Sequence, residues 1–121
     1  MTFEERKQQV SAFLGKTVEI VIDRPVGFVH RKENFSLTYP VNYGFIPGVF
    51  GGDGKELDVY LLGVAEPANQ YKCRIIAIIH RLNDNEDKLV AAAEEMHFSK
   101  EEIEKAVSFQ EQFFNTEIQL L

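Results

Sequence analysis

Tyr39-Pro40-Val41-Asn42-Tyr43-Gly44-Phe45-Ile46-Pro47, with Gly51-Gly52-Asp53-Gly54-Lys55-Glu56-Leu57-Asp58-Val59 close behind it, is the stretch on which the fold of this chain turns. Two tyrosines four residues apart straddle a proline. A glycine-rich turn then carries two aspartates to the mouth of an apolar strand. Phenol hydroxyls can donate to phosphate oxygens, and carboxylates at a strand entrance can hold a hard cation. Taken alone, Asp53 would do no more than serve a tight Gly-rich turn. Asp58 speaks against so plain a role, because it lies between Leu57 and Val59. An unpartnered charge there is costly, so Asp58 calls for a cation or a basic neighbour.

On either side of this stretch the chain alternates between short strands and turns. Residues 17–23 alternate and are β-branched, 57–64 read as a buried strand, and 89–92 as a last one. Residues 72–81 form the longest strand, and the run Ile75-Ile76-Ala77-Ile78-Ile79 predicts burial on both faces. Pro40 and Pro47 are expected to keep residues 38–46 off any central ladder position. Both ends read as helices. Thr2 with Glu5 and Ser99 with Glu102 have the form of capping boxes. Phe3, Val10, Phe13 and Leu14 fall at helical spacing over 3–14, as do Ile103, Val107, Phe109, Phe113 and Phe114 near the C-terminus. The pattern predicts a mainly β, α+β domain over residues 1–121: a small closed β-barrel with helices against it, or another α+β roll.

Bulk properties narrow the function. The 121 residues carry a formal charge of −6, which argues against nucleic acid or an anionic membrane as the main partner. A small anionic substrate remains admissible, because it can arrive with Mg²⁺ bound. Cys73 is the only cysteine, so no internal disulfide forms and a reducing cytoplasm is the natural setting. The charged N-terminus has no apolar signal region. The longest strongly apolar run, 75–79, is far too short to span a membrane. His30, His80 and His97 are scattered, with no zinc-ligand spacing. By composition, Asp84-Asn85-Glu86-Asp87-Lys88 is a solvated polar loop.

On the 39–47 and 53–59 segments the chain resembles the soluble family I inorganic pyrophosphatases. Their pattern is Tyr-Pro-x-Asn-Tyr-Gly-Tyr/Phe-Ile-Pro, then Asp-Gly-Asp-Pro-x-Asp-Val. The first half is met almost letter for letter. In the second, Lys55 replaces the middle aspartate and Glu56 the proline. The resemblance runs over roughly residues 18–92 and decides between the two architectures: it implies an OB-like five-stranded barrel flanked by helices. It further implies Mg²⁺-dependent hydrolysis of inorganic diphosphate (with Mn²⁺ as an alternative ion) in a homo-oligomer.

The resemblance also implies roles. Asp53 and Asp58 match metal-binding aspartates. The 84–88 loop, sitting after the longest strand as in the family, offers Asp84, Glu86 and Asp87 in two registers. Lys88 matches a phosphate-binding lysine in either register. Tyr39, Tyr43 and Arg31, which lies eight residues before Tyr39, match phosphate contacts. Asp58 and Lys55 stand at the catalytic positions. Lys55 cannot activate water as an ammonium, but it can supply positive charge or take the place of an ion. A hairpin carrying a lysine and a glutamate of the family site is absent between Gly27 and His30, and so is a C-terminal Tyr-Lys pair. Asp23 stands where the family has a glutamate. These losses keep two alternatives open: a hydrolase of another small phosphorylated compound, or a non-catalytic module that binds phosphate or protein through the same barrel.

Overall fold

The computed structural model describes residues 2–121. Helix α1 (Phe3–Ser11) starts at a complete Thr2/Glu5 capping box and leads into β1 (Thr17–Arg24). A small hairpin, β2 (Val29–Arg31) with β3 (Ser36–Thr38), follows. Then come β4 (Asn42–Phe50), β5 (Glu56–Leu62), β6 (Gln70–Arg81) and β7 (Asp87–Ala92). Helix α2 (Lys100–Glu111), also opened by a complete capping box, and β8 (Thr116–Leu120) complete the chain.

Five strands close on themselves in the order β1-β4-β5-β7-β6, because β1 pairs with both β4 and β6. All pairings are antiparallel except β5 with β7. Closure leaves no free edge among the five. The barrel interior is filled by Ile20, Ile22, Val59, Leu61, Ile78 and Leu89, with Val10 of α1 packed against them. A second apolar layer lies under α2. There Ile103 and Val107 meet Tyr60, Leu62, Ile79 and Val90. Strands β6 and β7 are thus covered on both faces, which accounts for the unbroken apolar run of β6 and for six buried residues in β7.

Two local devices bring the site together. The first is Gly44: a Cβ there would stand 1.8 Å from the carbonyl oxygen of Val21, so only glycine lets β1 and β4 approach. The second is a β-bulge in β1. Ile22 pairs with Gly44 and Arg24 with Tyr43, leaving Asp23 as the extra residue. A bulge re-aims side chains out of strict alternation, and here Asp23 and Arg24 both line one cleft.

Three expectations need correction. Residues 38–46 do not form one peripheral strand. The chain breaks after Thr38, and β4 is an interior strand paired on both sides, with Pro47 tolerated where the β4–β5 register slips between Phe45 and Phe50. The C-terminal helix stops at Glu111, and the chain returns as β8 along β6. Thr116, Ile118 and Leu120 carry that period-2 signal, but the aromatic run before them reads as a continuing helix. Phe114 is therefore no core residue. It is partly exposed in the cleft, with the Arg81 guanidinium carbon 3.7 Å from its ring centroid. No helix among the described residues is long and apolar enough to cross a membrane.

Candidate active site

An open cleft of about 640 Å³ lies at the ends of β1, β4, β5 and β7. Its acidic lining is Asp23, Asp53, Glu56, Asp58 and Glu86, and its basic lining is Arg24, Lys32, Lys55, Arg81 and Lys88. Asp58 and Phe45 stand opposite one another on β5 and β4. On β7, period 2 sends Lys88 into the cleft and Asp87 to the other side. Lys88, buried, bridges two carboxylates: its Nζ is 2.6 Å from Asp58 Oδ2 and 2.6 Å from Glu86 Oε2. Tyr43 donates its hydroxyl to the same Asp58 oxygen at 2.7 Å. Burial pulls the Lys88 ammonium down, but Tyr43, Asp58 and Glu86 outweigh it, so it stays charged far above neutrality. Burial likewise raises Glu86, yet the bonds to Lys88 and Asp53 and the Arg81 charge bring it below the usual carboxylate range.

This geometry distinguishes the two loop registers. Glu86 lies in the cleft with Lys88. Asp87 is buried elsewhere, 2.8 Å from Arg6 Nε and 3.1 Å from His80 Nδ1, tying α1 to β6. Asp84 does not line the cleft. It accepts from the Asn85 amide at 2.7 Å and lies 3.4 Å from Arg81. Asp53 lines the cleft and accepts from the Lys55 amide at 3.0 Å, closing the turn whose Gly54 has φ +79°. The Lys55 side chain is exposed in the lining.

Arg31 sits on the β2–β3 hairpin, exposed and outside the cleft lining, because that hairpin turns the residue outward. The cleft instead receives Arg24, the last residue of β1. Its guanidinium is caged by the rings of Phe28, Tyr39 and Tyr43 at 5.4–5.8 Å and donates to the Tyr39 hydroxyl. Among the described residues no carboxylate oxygen lies within 4.0 Å of Arg24, Lys32 or Lys55. Tyr39 is fully buried and does not line the cleft. It belongs to a relay beneath the floor. Tyr39 donates to Gln110 Oε1 at 2.8 Å, and Gln110 Nε2 donates to the Tyr60 hydroxyl at 2.7 Å. Tyr60 in turn donates to Glu111, which accepts twice from Arg81 at 2.9 and 2.7 Å.

Asp23 is the other residue whose weight the strand pattern understates. Solvent reaches it, but the cleft walls crowd it. That burial raises its carboxyl above the ordinary aspartate range, against its own backbone hydrogen bond and Arg24 and with the help of Asp58. Asp53, Asp58 and Glu86 have the oxygen chemistry a hard cation takes. Their arrangement does not fit a resident ion, however. No three His, Cys, Asp or Glu side chains among the described residues converge on one position, and the place between Asp58 and Glu86 is held by the Lys88 ammonium.

Comparison with known proteins adds four findings. The model of the family described as inorganic pyrophosphatase matches residues 11–119. The chain is 32% identical over 68 residues to an inorganic pyrophosphatase of Rickettsia prowazekii, covering 53% of this chain and 40% of that protein. It is 30% identical over 88 residues to one of Xylella fastidiosa, covering 68% and 49%. The matched stretch thus spans less than half the length of these relatives. Its fold is that of the inorganic pyrophosphatase of Ehrlichia chaffeensis, with a TM-score of 0.64 at 18% identity over 88% of this chain and 87% of that one.

Proposed function

The chain belongs to the inorganic pyrophosphatase family, and we propose that its cleft binds inorganic diphosphate as the Mg²⁺ complex and hydrolyses it slowly to phosphate. The observation that carries this is the pairing, in one cleft, of cations free of carboxylate partners with a carboxylate of raised pKa: Arg24, Lys32 and Lys55 beside Asp23. The ion, Mg²⁺ or Mn²⁺, enters with the substrate and neutralises part of its charge. Arg24 and Lys55 hold the phosphate oxygens and absorb the charge that builds on the leaving phosphate. Tyr43 and Lys88 fix Asp58, and with Glu86 they shape the floor. Water attacks one phosphorus, the bridging P–O bond breaks, and Asp23 accepts the proton of the attacking water.

Phosphate release from diphosphate, with and without Mg²⁺ and with Asp58→Asn as control, tests this. Metal-dependent release that Asp58→Asn suppresses is expected; no release in either condition would overturn it. Lys55→Asp is expected to lower the rate, since it replaces a cation that holds the phosphate oxygens with a carboxylate that repels them. A rate raised by the same substitution would instead show that a base and an ion-binding oxygen at that position matter more than the cation.

The setting we propose is a cytoplasmic homo-oligomer. Its basis is the lone thiol of Cys73, whose pKa burial pushes up to about 12, and apolar surface left outside the barrel. Phe50 and Leu121 are each 63% exposed, a cost that association would relieve. Sedimentation at micromolar concentration is expected to give a mass above the 13.9 kDa of one chain.

A further inference from the structure

Part of the cleft lining is hydrocarbon: Phe35, Leu37, Phe45, Phe113 and Phe114. Phe35 lies in the turn of the β2–β3 hairpin, and Phe113 just past the end of α2. Their rings meet at 5.7 Å between centroids, tilted by 40°, yet remain 46% and 55% exposed. Lys32 Nζ stands 5.6 Å from the Phe35 ring. An inorganic anion makes no use of such a wall.

The size of the cleft points the same way. Even if each of its about nine heavy atoms took as much room as a liquid water molecule, diphosphate would fill only about 270 Å³, against about 640 Å³ available. A cleft of this volume, with an aromatic wall set beside its charged groups, has room for an organic group as well as the phosphates.

We propose that the cleft takes a diphosphate bearing an aromatic group, of the chemical class of a nucleoside diphosphate. The phosphates lie on Arg24, Lys32 and Lys55, and the ring stacks against Phe35 and Phe113. This rests on the phosphate-site reading above and adds the organic group to it. The chemistry stays balanced: water adds to the terminal phosphorus, the bridging P–O bond breaks, and a nucleoside monophosphate leaves with phosphate, the water proton passing to Asp23.

Calorimetric titration of the full chain with two non-hydrolysable probes, in Mg²⁺, tests it. The probes are the methylene-bridged analogue of ADP and methylenediphosphonate. Base stacking on exposed aromatics predicts binding of the nucleotide analogue tighter by about tenfold or more. The double variant Phe35→Ala/Phe113→Ala should abolish that advantage and leave methylenediphosphonate binding unchanged. Equal affinity of the two probes for wild type, or equal loss of both in the variant, overturns the proposal while leaving the phosphate site standing. If neither probe binds, the phosphate site and the aromatic subsite fall together. Both rings are half exposed, so the variant should fold, as a melting curve will show. Should it not, Phe35→Leu/Phe113→Leu keeps the apolar contact, removes the stacking surface and is read in the same way.

Discussion

Asp23→Asn is expected to lower phosphate release from Mg²⁺-diphosphate by about 10²–10⁴-fold, the usual cost of losing a general base, without lowering the melting temperature. Of the five cleft carboxylates, Asp58 and Glu86 are held by Lys88. Asp53 and Glu56 accept from backbone amides, Asp53 from that of Lys55 and Glu56 from that of Gly48. Among the described residues Asp23 has no cation within 4.0 Å, and crowding by the cleft walls raises its pKa despite its own backbone hydrogen bond and the charge of Arg24. A raised carboxyl is a better proton acceptor once ionised. Activity should therefore fall on acidification through a pKa above the ordinary aspartate value, and Asp23→Asn should remove that limb from the residual rate. The stability consequence has the opposite sign. A carboxyl whose folded pKa lies above its unfolded one favours the folded state at low pH, and that contribution is lost as pH rises through the folded pKa. At neutral pH Asp23 is thus a mild liability, and the neutral amide should melt at the same temperature or slightly higher. Wild-type activity in Asp23→Asn would assign the base elsewhere.

Glu111→Ala should have the largest effect on stability, about 3–5 kcal/mol, the cost of removing one partner from a buried ion pair. The side chains of Glu111 and Arg81 are each 5% exposed and share two hydrogen bonds. Losing the carboxylate strands a buried guanidinium and the Tyr60 hydroxyl together. The carboxylates Arg81 then retains, Asp84 and Glu86, are both 3.4 Å away. The melting temperature should drop by roughly 10–25 °C for a domain of this size. Glu111→Gln keeps the acceptor oxygen and should lose less. Thermal unfolding of both variants decides the matter; a shift of only a few degrees for Glu111→Ala would mean that water reaches Arg81 in its absence.

Much of the barrel was legible in the chain because its signals are local. Two capping boxes opened both helices where Thr2/Glu5 and Ser99/Glu102 place them. The apolar run 75–79 marked a strand covered on both faces, and Gly44 within the Tyr39–Pro47 segment marks the close crossing of β1 and β4. What sequence reading could not reach depends on bulges and on long-range partners. A single extra residue in β1 turns Asp23 and Arg24 into the cleft, whereas alternation would have parted them. That Arg24 and not Arg31 lines the cleft follows from that bulge and from the outward turn of the β2–β3 hairpin. Nothing in the local sequence singles out Gln110 and Glu111, two polar residues near the end of α2. Their importance appears only when α2 lies across Tyr39, Tyr60 and Arg81, to which they bond across 30 to 71 residues of sequence.

The relay beneath the floor has a direction. Arg24 donates to Tyr39, Tyr39 to Gln110, Gln110 to Tyr60, and Tyr60 to Glu111, where Arg81 closes it from the other end. Four links of the five involve the consecutive α2 residues Gln110 and Glu111, so the helix is seated by the same bonds that aim Arg24 and Arg81. Thermodynamic reciprocity then couples the two. An anion that orders Arg24 must also make the undocking of α2 rarer, in proportion to its occupancy. Amide protons of residues 103–111 should consequently exchange with deuterated water more slowly when the cleft is filled, although Gln110 is the one residue of α2 that lines it.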